Sequence, residues 1–345
     1  MTHPYIKRNK TTTRNAILLS SIICIISFIL AISFGSSSSN LADLFQYILS
    51  DTTAHSNESA PLILMTIRIP RALLAGLCGA ALAAAGVISQ GLFRNPLASP
   101  TILGTSSGAT LTAAVVFYLG TANNHWLTIP IAAFFGAIFS TSFVFNLAKK
   151  TVNWDIEHLL LTGVALSSLF GALTSLIISL SLEDYQKTAA TMHWMLGGFS
   201  ARGWEHIKIA IFPFIIGLIL TFKLSGPLNV LVFGEEVAKN LSVNIAQLRK
   251  KSILAISLLV GTSVSVAGAL PFIGLVIPHI TRKLVGPEQK RLLLISALNG
   301  ASITILADLI ARTIRSPLEF EVGILTSLLG APFFLWIILS RKPLI

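Results

Sequence analysis

Apolar runs separated by short polar breaks divide this 345-residue chain into ten segments, at 15–34, 66–90, 103–120, 127–148, 157–181, 207–224, 250–269, 271–285, 291–311 and 322–340. Most approach the roughly 20 residues that a helix needs to cross the hydrocarbon core of a bilayer. The pattern predicts an all-α, polytopic membrane protein with about ten transmembrane helices. No polar stretch is long enough to fold by itself, so residues 1–345 read as one membrane domain. The segment opening on Arg68-Ile-Pro-Arg71 is rich in Gly and Ala and ends at the polar break Gln90–Pro100. Small residues let neighbouring helices approach closely. Arginine at both ends sits near water, where its charge costs little.

Three breaks are more than simple loops. Residues 35–61 are Ser-rich and polar, with a short amphipathic piece at Leu41, Leu44, Phe45, Ile48 and Leu49. Residues 188–206 hold a half-length apolar piece ending in Gly197-Gly198, too short to span and expected at the outer mouth. Residues 225–249 carry apolar residues at helical spacing, with Val230 and Phe233 ahead of Val237 and Leu241. Gly234-Glu235-Glu236 suits a helix start, because acids are favoured at the positive end of the helix dipole. An amphipathic loop must rest on something, and an acidic start suits anionic lipid poorly, so a protein partner is expected there.

Composition agrees with the pattern. Charged residues make up only 11% of the chain and apolar ones 53%, against about 25% charged in a soluble domain. The formal charge of +11 follows the topology rather than nucleic-acid binding. With the N-terminus inside, 18 of the 25 basic residues fall in the tail, the alternate loops and the C-terminus. That asymmetry predicts that both termini are cytoplasmic. Arg68, Arg71, Lys187, Arg202, Lys208, Arg312 and Arg315 are left outside. The first apolar run exceeds the 7–15 residues of a signal-peptide core and is read as an uncleaved helix. Cys24 and Cys78 lie in separate apolar runs and read as small buried residues, not a disulfide or a metal pair.

Candidate chemistry is sparse. Asp308 lies inside the ninth segment, where an acid is costly and a functional candidate. Arg312 follows four residues later, so the two are expected to pair along one helix face. Gly268 to His279 packs two prolines and two glycines into an apolar run, a break tolerated where neighbours satisfy the freed backbone. His279 reads as a packing residue. Gly104-Thr-Ser-Ser-Gly108 matches a hydrolase elbow in letters but opens a helix, where small residues serve packing. Gly198 and Gly203 have part of a phosphate-loop spacing without the following Lys-Ser/Thr, so no ATP site of the chain's own is expected. No metal motif, catalytic residue or cofactor site is read.

Several long motifs in order carry a resemblance. They include RIPR (68–71), RNPLASP (94–100), LGTSSGA (103–109), LLLTGVAL (159–166), MLGG (195–198), FGEEVAKNL (233–241), FIGLVIPHI (272–280), ADLIAR (307–312) and GAPFF (330–334). With these the chain resembles the ten-helix permeases of type II ABC importers for ferric siderophores, haem and vitamin B12, the FecCD family. The resemblance implies ABC ATPase subunits, a periplasmic or lipid-anchored substrate-binding protein and a second permease copy forming a homodimer as partners, within membrane lipid and without nucleic acid. It implies that Arg68, Arg71 and Arg312 dock the binding protein. The 229–247 segment is similar to the family's coupling helix, with Gly234, Glu235, Glu236, Ala238 and Leu241 meeting the ATPase. The start of the fifth helix, Asp155-Ile156-Glu157-His158, matches the cytoplasmic gate, and its acids differ from the Ser/Thr-rich gate of the vitamin B12 importer. The last outer loop, Glu319-Phe-Glu321-Val-Gly323, lacks the proline usual before the Val-Gly step. A ferric siderophore is the first expected cargo; vitamin B12, haem, or an ion-coupled transporter using Asp308 are the alternatives.

Overall fold

The structure, a computed structural model, describes residues 10–35, 62–149 and 156–340. The described residues form twelve α-helices: α1 (Lys10–Ser33), α2 (Ile69–Leu92), α3 (Thr105–Tyr118), α4 (Thr128–Lys149), α5 (Ile156–Leu180), α6 (Tyr185–Leu196), α7 (Trp204–Leu231), α8 (Glu235–Asn240), α9 (Ile245–Ala267), α10 (Ile273–Val285), α11 (Gln289–Thr313) and α12 (Val322–Ser340). Ten of them coincide with the ten predicted segments, and α6 and α8 are the two short extra pieces. Seven are long and apolar enough to cross a membrane. The exceptions have local causes. A 3₁₀ turn at Pro100–Leu103 takes up the start of α3. Gly268 and Phe272, both with positive φ, unwind the chain ahead of α10.

Helix starts follow ordinary capping chemistry. Asp184, Asn244 and Glu288 accept backbone N–H bonds at the first turns of α6, α9 and α11, satisfying donors that a helix leaves free. Three expected boundaries move by five residues or more: α1 starts at Lys10 rather than 15, α9 at Ile245 rather than 250, and the end of α7 shifts furthest. The sixth segment was expected to end at 224, but α7 continues through Pro213 and Pro227 to Leu231. The insert expected at 225–249 is correspondingly shorter.

The centre of the molecule is α2, buried along almost its whole length. Its glycines explain how. A methyl group on Gly79 would overlap the Gly300 carbonyl of α11, and one on Gly86 would overlap the Gly274 carbonyl of α10. Two helices therefore cross α2 at backbone contact, the close approach that small residues permit in a membrane. The outer helices α1, α5 and α7 instead leave large apolar side chains exposed, among them Leu19, Leu161 and Phe212. An apolar periphery around a packed interior is the arrangement for a protein solvated by lipid.

A second junction joins three irregular stretches. The Gly198 N–H donates to the Ala267 carbonyl at 2.8 Å, and the Gly323 N–H to the Gly197 carbonyl at 3.1 Å. Side chains at Gly197, Gly268 or Gly323 would each strike backbone of a neighbouring strand of chain. The freed backbone groups beside Pro271 are thus satisfied from within the protein.

A buried arginine–carboxylate cluster and an exposed short helix

Arg68 ends a π-helical turn (Leu64–Arg68) that runs straight into α2, with Pro70 in the first turn. Arg71 follows one turn on, and Asp308 and Arg312 lie in the last two turns of α11. Because α2 and α11 run antiparallel, these four side chains meet at one end of the bundle. Arg71 is the hub. Its Nη2 lies 2.8 Å from Asp308 Oδ1 and its Nε 3.0 Å from both Asp308 oxygens. Its Nη1 donates to Glu319 Oε2 at 2.9 Å. Arg312 Nε stands 3.7 Å from Asp308 Oδ2.

The expected Asp308–Arg312 pair is therefore present but is the looser of two. Arg71 approaches from a facing helix and can present a fork to the carboxylate. Arg312, on the same helix, cannot do so as well. The other donors face α1: Arg68 Nη1 donates to the Ile32 and Ser33 carbonyls at 2.9 and 3.3 Å, and Arg312 Nη2 to the Ala31 carbonyl. Cations thus complete the last turn of α1, where carbonyls lack partners and the dipole is negative. Arg68, Arg71 and Arg312 come together at this end of the bundle, and all three are buried and engaged within the chain.

Beside Arg71 opens a cavity of about 580 Å³ lined by Thr66, Ser200, Arg202 and Glu319. Ser200 Oγ donates to Glu319 Oε2 at 2.7 Å. Burial pushes the Glu319 carboxyl up, but the Ser200 hydroxyl and Arg71 together hold it below the usual carboxylate range. Glu321 is pushed up by burial, although His193 Nε2 lies 2.7 Å away. Arg202 is pushed down by burial. Sequence reading missed this acidic half of the cluster. Its signal was the Glu-Phe-Glu run at 319–321, whose second acid, Glu321, stands where the resemblance leads one to expect a proline before Val322-Gly323.

The opposite end of the bundle lies about 40 Å away, the length of the 28-residue α7. There α8 forms as expected, with Glu235 and Glu236 in its first turn. Glu235 accepts from Arg249 Nη2 of α9 at 2.5 Å, and Ala238 is buried beneath the helix. Gly234 precedes α8 at φ 113, a conformation that side chains resist. Phe233, Val237 and Leu241 are exposed in a row. One face of α8 is thus fastened down and the other offers apolar side chains.

The residues expected at the inner gate are only partly described. Asp155 lies outside the described residues, and Ile156 opens α5. Glu157 and His158 are exposed in its first turn. Among the described residues no ion pair joins Glu157 to Lys149. His279 is buried in α10. Gly104 caps α3, and its carbonyl accepts the Ser107 and Ser140 hydroxyls, so the hydrolase-like letters serve packing.

Known proteins give the arrangement a context. The model of the FecCD transport family matches residues 23–340. The chain is 40% identical to an uncharacterized ABC transporter permease, YvrB of Bacillus subtilis, covering 92% of this chain and 91% of the relative. It is 39% identical to the Fe(3+) dicitrate transport system permease FecD of Escherichia coli, over 81% and 86%. To the hemin transport system permease HmuU of Yersinia pestis it is 37% identical, over 83% and 86%. A solved inward-facing transporter, assigned to the metal-chelate ABC type, superposes with a TM-score of 0.83 at 30% identity. The match covers 95% of this chain and all of that one.

Proposed function

The chain belongs to the FecCD transport family, and from that premise we propose that it carries an iron chelate, a ferric siderophore, through the inner membrane as the permease subunit of an ABC importer. Two copies surround the pathway, a binding protein delivers cargo outside, and ATP is hydrolysed on separate subunits inside. A ligand moves such a pathway only through its differential affinity for the outward- and inward-facing states.

The observation that carries the reading is α8. Val237 stands exposed on α8, with Phe233 before it and Leu241 after it, and the helix is fastened to α9 through Glu235 and Arg249, which suits a partner's groove and would pass its motion to α9. Replacing Glu235 and Glu236 by Lys should uncouple ATP hydrolysis from uptake. Reconstituted complex with both charges reversed is then expected to hydrolyse ATP while importing less than about a tenth of the labelled chelate, roughly 1.4 kcal/mol of lost coupling. Uptake at the wild-type rate would remove the assignment.

At the other end, a carboxylate of the binding protein takes the place of Glu319 on Arg71, with Arg68 and Arg312 setting the field around it. Glu319 is the partly exposed member of the cluster, so it is the one able to yield. Glu157 and His158, with Asp155 and Ile156, close the inner mouth. Cargo choice is read from relatives that handle iron citrate and hemin by name; haem and vitamin B12 are tested against siderophore by competition in uptake. Asp308 held by two arginines supports the structural role over an ion-coupled one. Uptake that survives without ATPase but collapses with membrane potential would reverse that choice.

A further inference from the structure

Helices α4 and α9 touch at Gly261, where an added Cβ would lie 3.3 Å from Ala137 Cβ. From that contact toward the coupling end they leave a cleft of about 820 Å³. Its lining is mostly apolar by area, with Ile138, Phe145, Ile253 and Leu254 beside the neutral Ser142, Asn146, Gln247 and Ser257, and Lys149, Lys250 and Lys251 line its end nearer α8. All three lysines are exposed, and among the described residues none makes an ion pair. From Ile138 to Lys149 the cleft runs about 16 Å along α4, roughly half the ~30 Å hydrocarbon core. It therefore has the depth of one leaflet, with cations at the headgroup level.

We propose that this cleft is a binding site for an anionic phospholipid, its acyl chains lying between α4 and α9 and its phosphate held by Lys149, Lys250 and Lys251. Three like charges converging on one apolar cleft repel one another unless an anion sits between them. A headgroup phosphate supplies that anion, and lysine clusters at a membrane surface attract anionic lipid. The proposal rests on the chain spanning a membrane, not on its cargo or on ATPase coupling, so binding and transport can fail separately. Lys250 and Lys251 follow Arg249, which holds α8 through Glu235, so the lipid would sit beside the attachment of the coupling helix.

The test is retention of phosphatidylglycerol against phosphatidylcholine by the purified permease in mixed micelles, followed by native mass spectrometry. Wild type should keep phosphatidylglycerol selectively, and Lys149→Gln/Lys250→Gln/Lys251→Gln should hold it at least about tenfold more weakly. Lys223→Gln/Lys290→Gln, with two exposed lysines removed elsewhere, should behave as wild type. Leu254→Trp fills the cleft with the lysines intact and should also lose the lipid, which guards against misfolding of the triple variant. Equal retention of the two lipids by wild type would overturn the proposal. So would unchanged retention in both cleft variants, or an equal loss in the control.

Discussion

Arg71 shows how one residue can be legible in place and illegible in role. Its sequence marks it as an arginine at a helix mouth, and the fold puts it there, yet its fork is spent on Asp308 and Glu319. Partners 237 and 248 positions away leave no periodic trace, whereas Asp308 and Arg312 are four apart and were paired by spacing alone. Breaking a buried ion pair strands a charge, which costs about 3–5 kcal/mol, while replacing both partners with apolar residues can be nearly neutral. Arg71→Ala should therefore lower the unfolding midpoint in detergent sharply, and Arg71→Met/Asp308→Leu should recover part of the loss, the remainder being the cost of leaving Glu319 and Arg312 without those partners. If the double variant were as unstable as the single, the cost would lie in packing rather than charge.

Glu319 adds a pH dependence at the same scale. Its carboxyl lies below its ordinary value of 4.5 in the folded chain, so folding favours the ionised form. The stability it contributes is complete above that ordinary value and is lost as pH falls through the lower folded one. Thermal unfolding of wild type and Glu319→Gln should differ most near neutral pH and converge in acid. A gap that stays constant down to about pH 3 would show that the charge of Glu319 is not what stabilises the cluster.

At the scale of elements, the sequence pattern found the helices because membrane burial writes long apolar runs, and ten of the twelve fell where expected. It misplaced the end of α7, since a proline ordinarily ends a helix and here the helix continues past Pro227 to Leu231. Which helices cross could not be read, because a glycine states only that something may come close, not what. The contact of Gly79 with Gly300 makes that concrete. Gly79→Val should push α2 and α11 apart and destabilise by about 1–3 kcal/mol or more. Gly171→Ala, which meets nothing within 4 Å, should be neutral or slightly stabilising, since alanine favours helix by up to ~1 kcal/mol. Melting curves and yields of the two variants in one detergent test the crossing directly.

Across the whole molecule, the charged cluster and α8 occupy opposite ends of a bundle whose central helix is packed at backbone contact. Such a core moves between discrete arrangements rather than bending continuously, so a change at one end must be felt at the other if the chain works as proposed. Linkage then makes a prediction that needs no cargo. If nucleotide on the ATPase changes binding-protein affinity by some factor, the binding protein must change nucleotide affinity by the same factor. The binding-protein Kd should shift between nucleotide-free and nucleotide-trapped complex by roughly 5–150-fold, the usual range of coupling. Glu235→Lys/Glu236→Lys should abolish that shift and leave docking to the nucleotide-free complex unchanged, because the Arg71 cluster is intact. Charge reversal at Arg71 should do the opposite, weakening docking in both states in a salt-sensitive way. A coupling variant that still showed the full shift would mean that motion reaches α2 by a route other than α8 and the Glu235–Arg249 link.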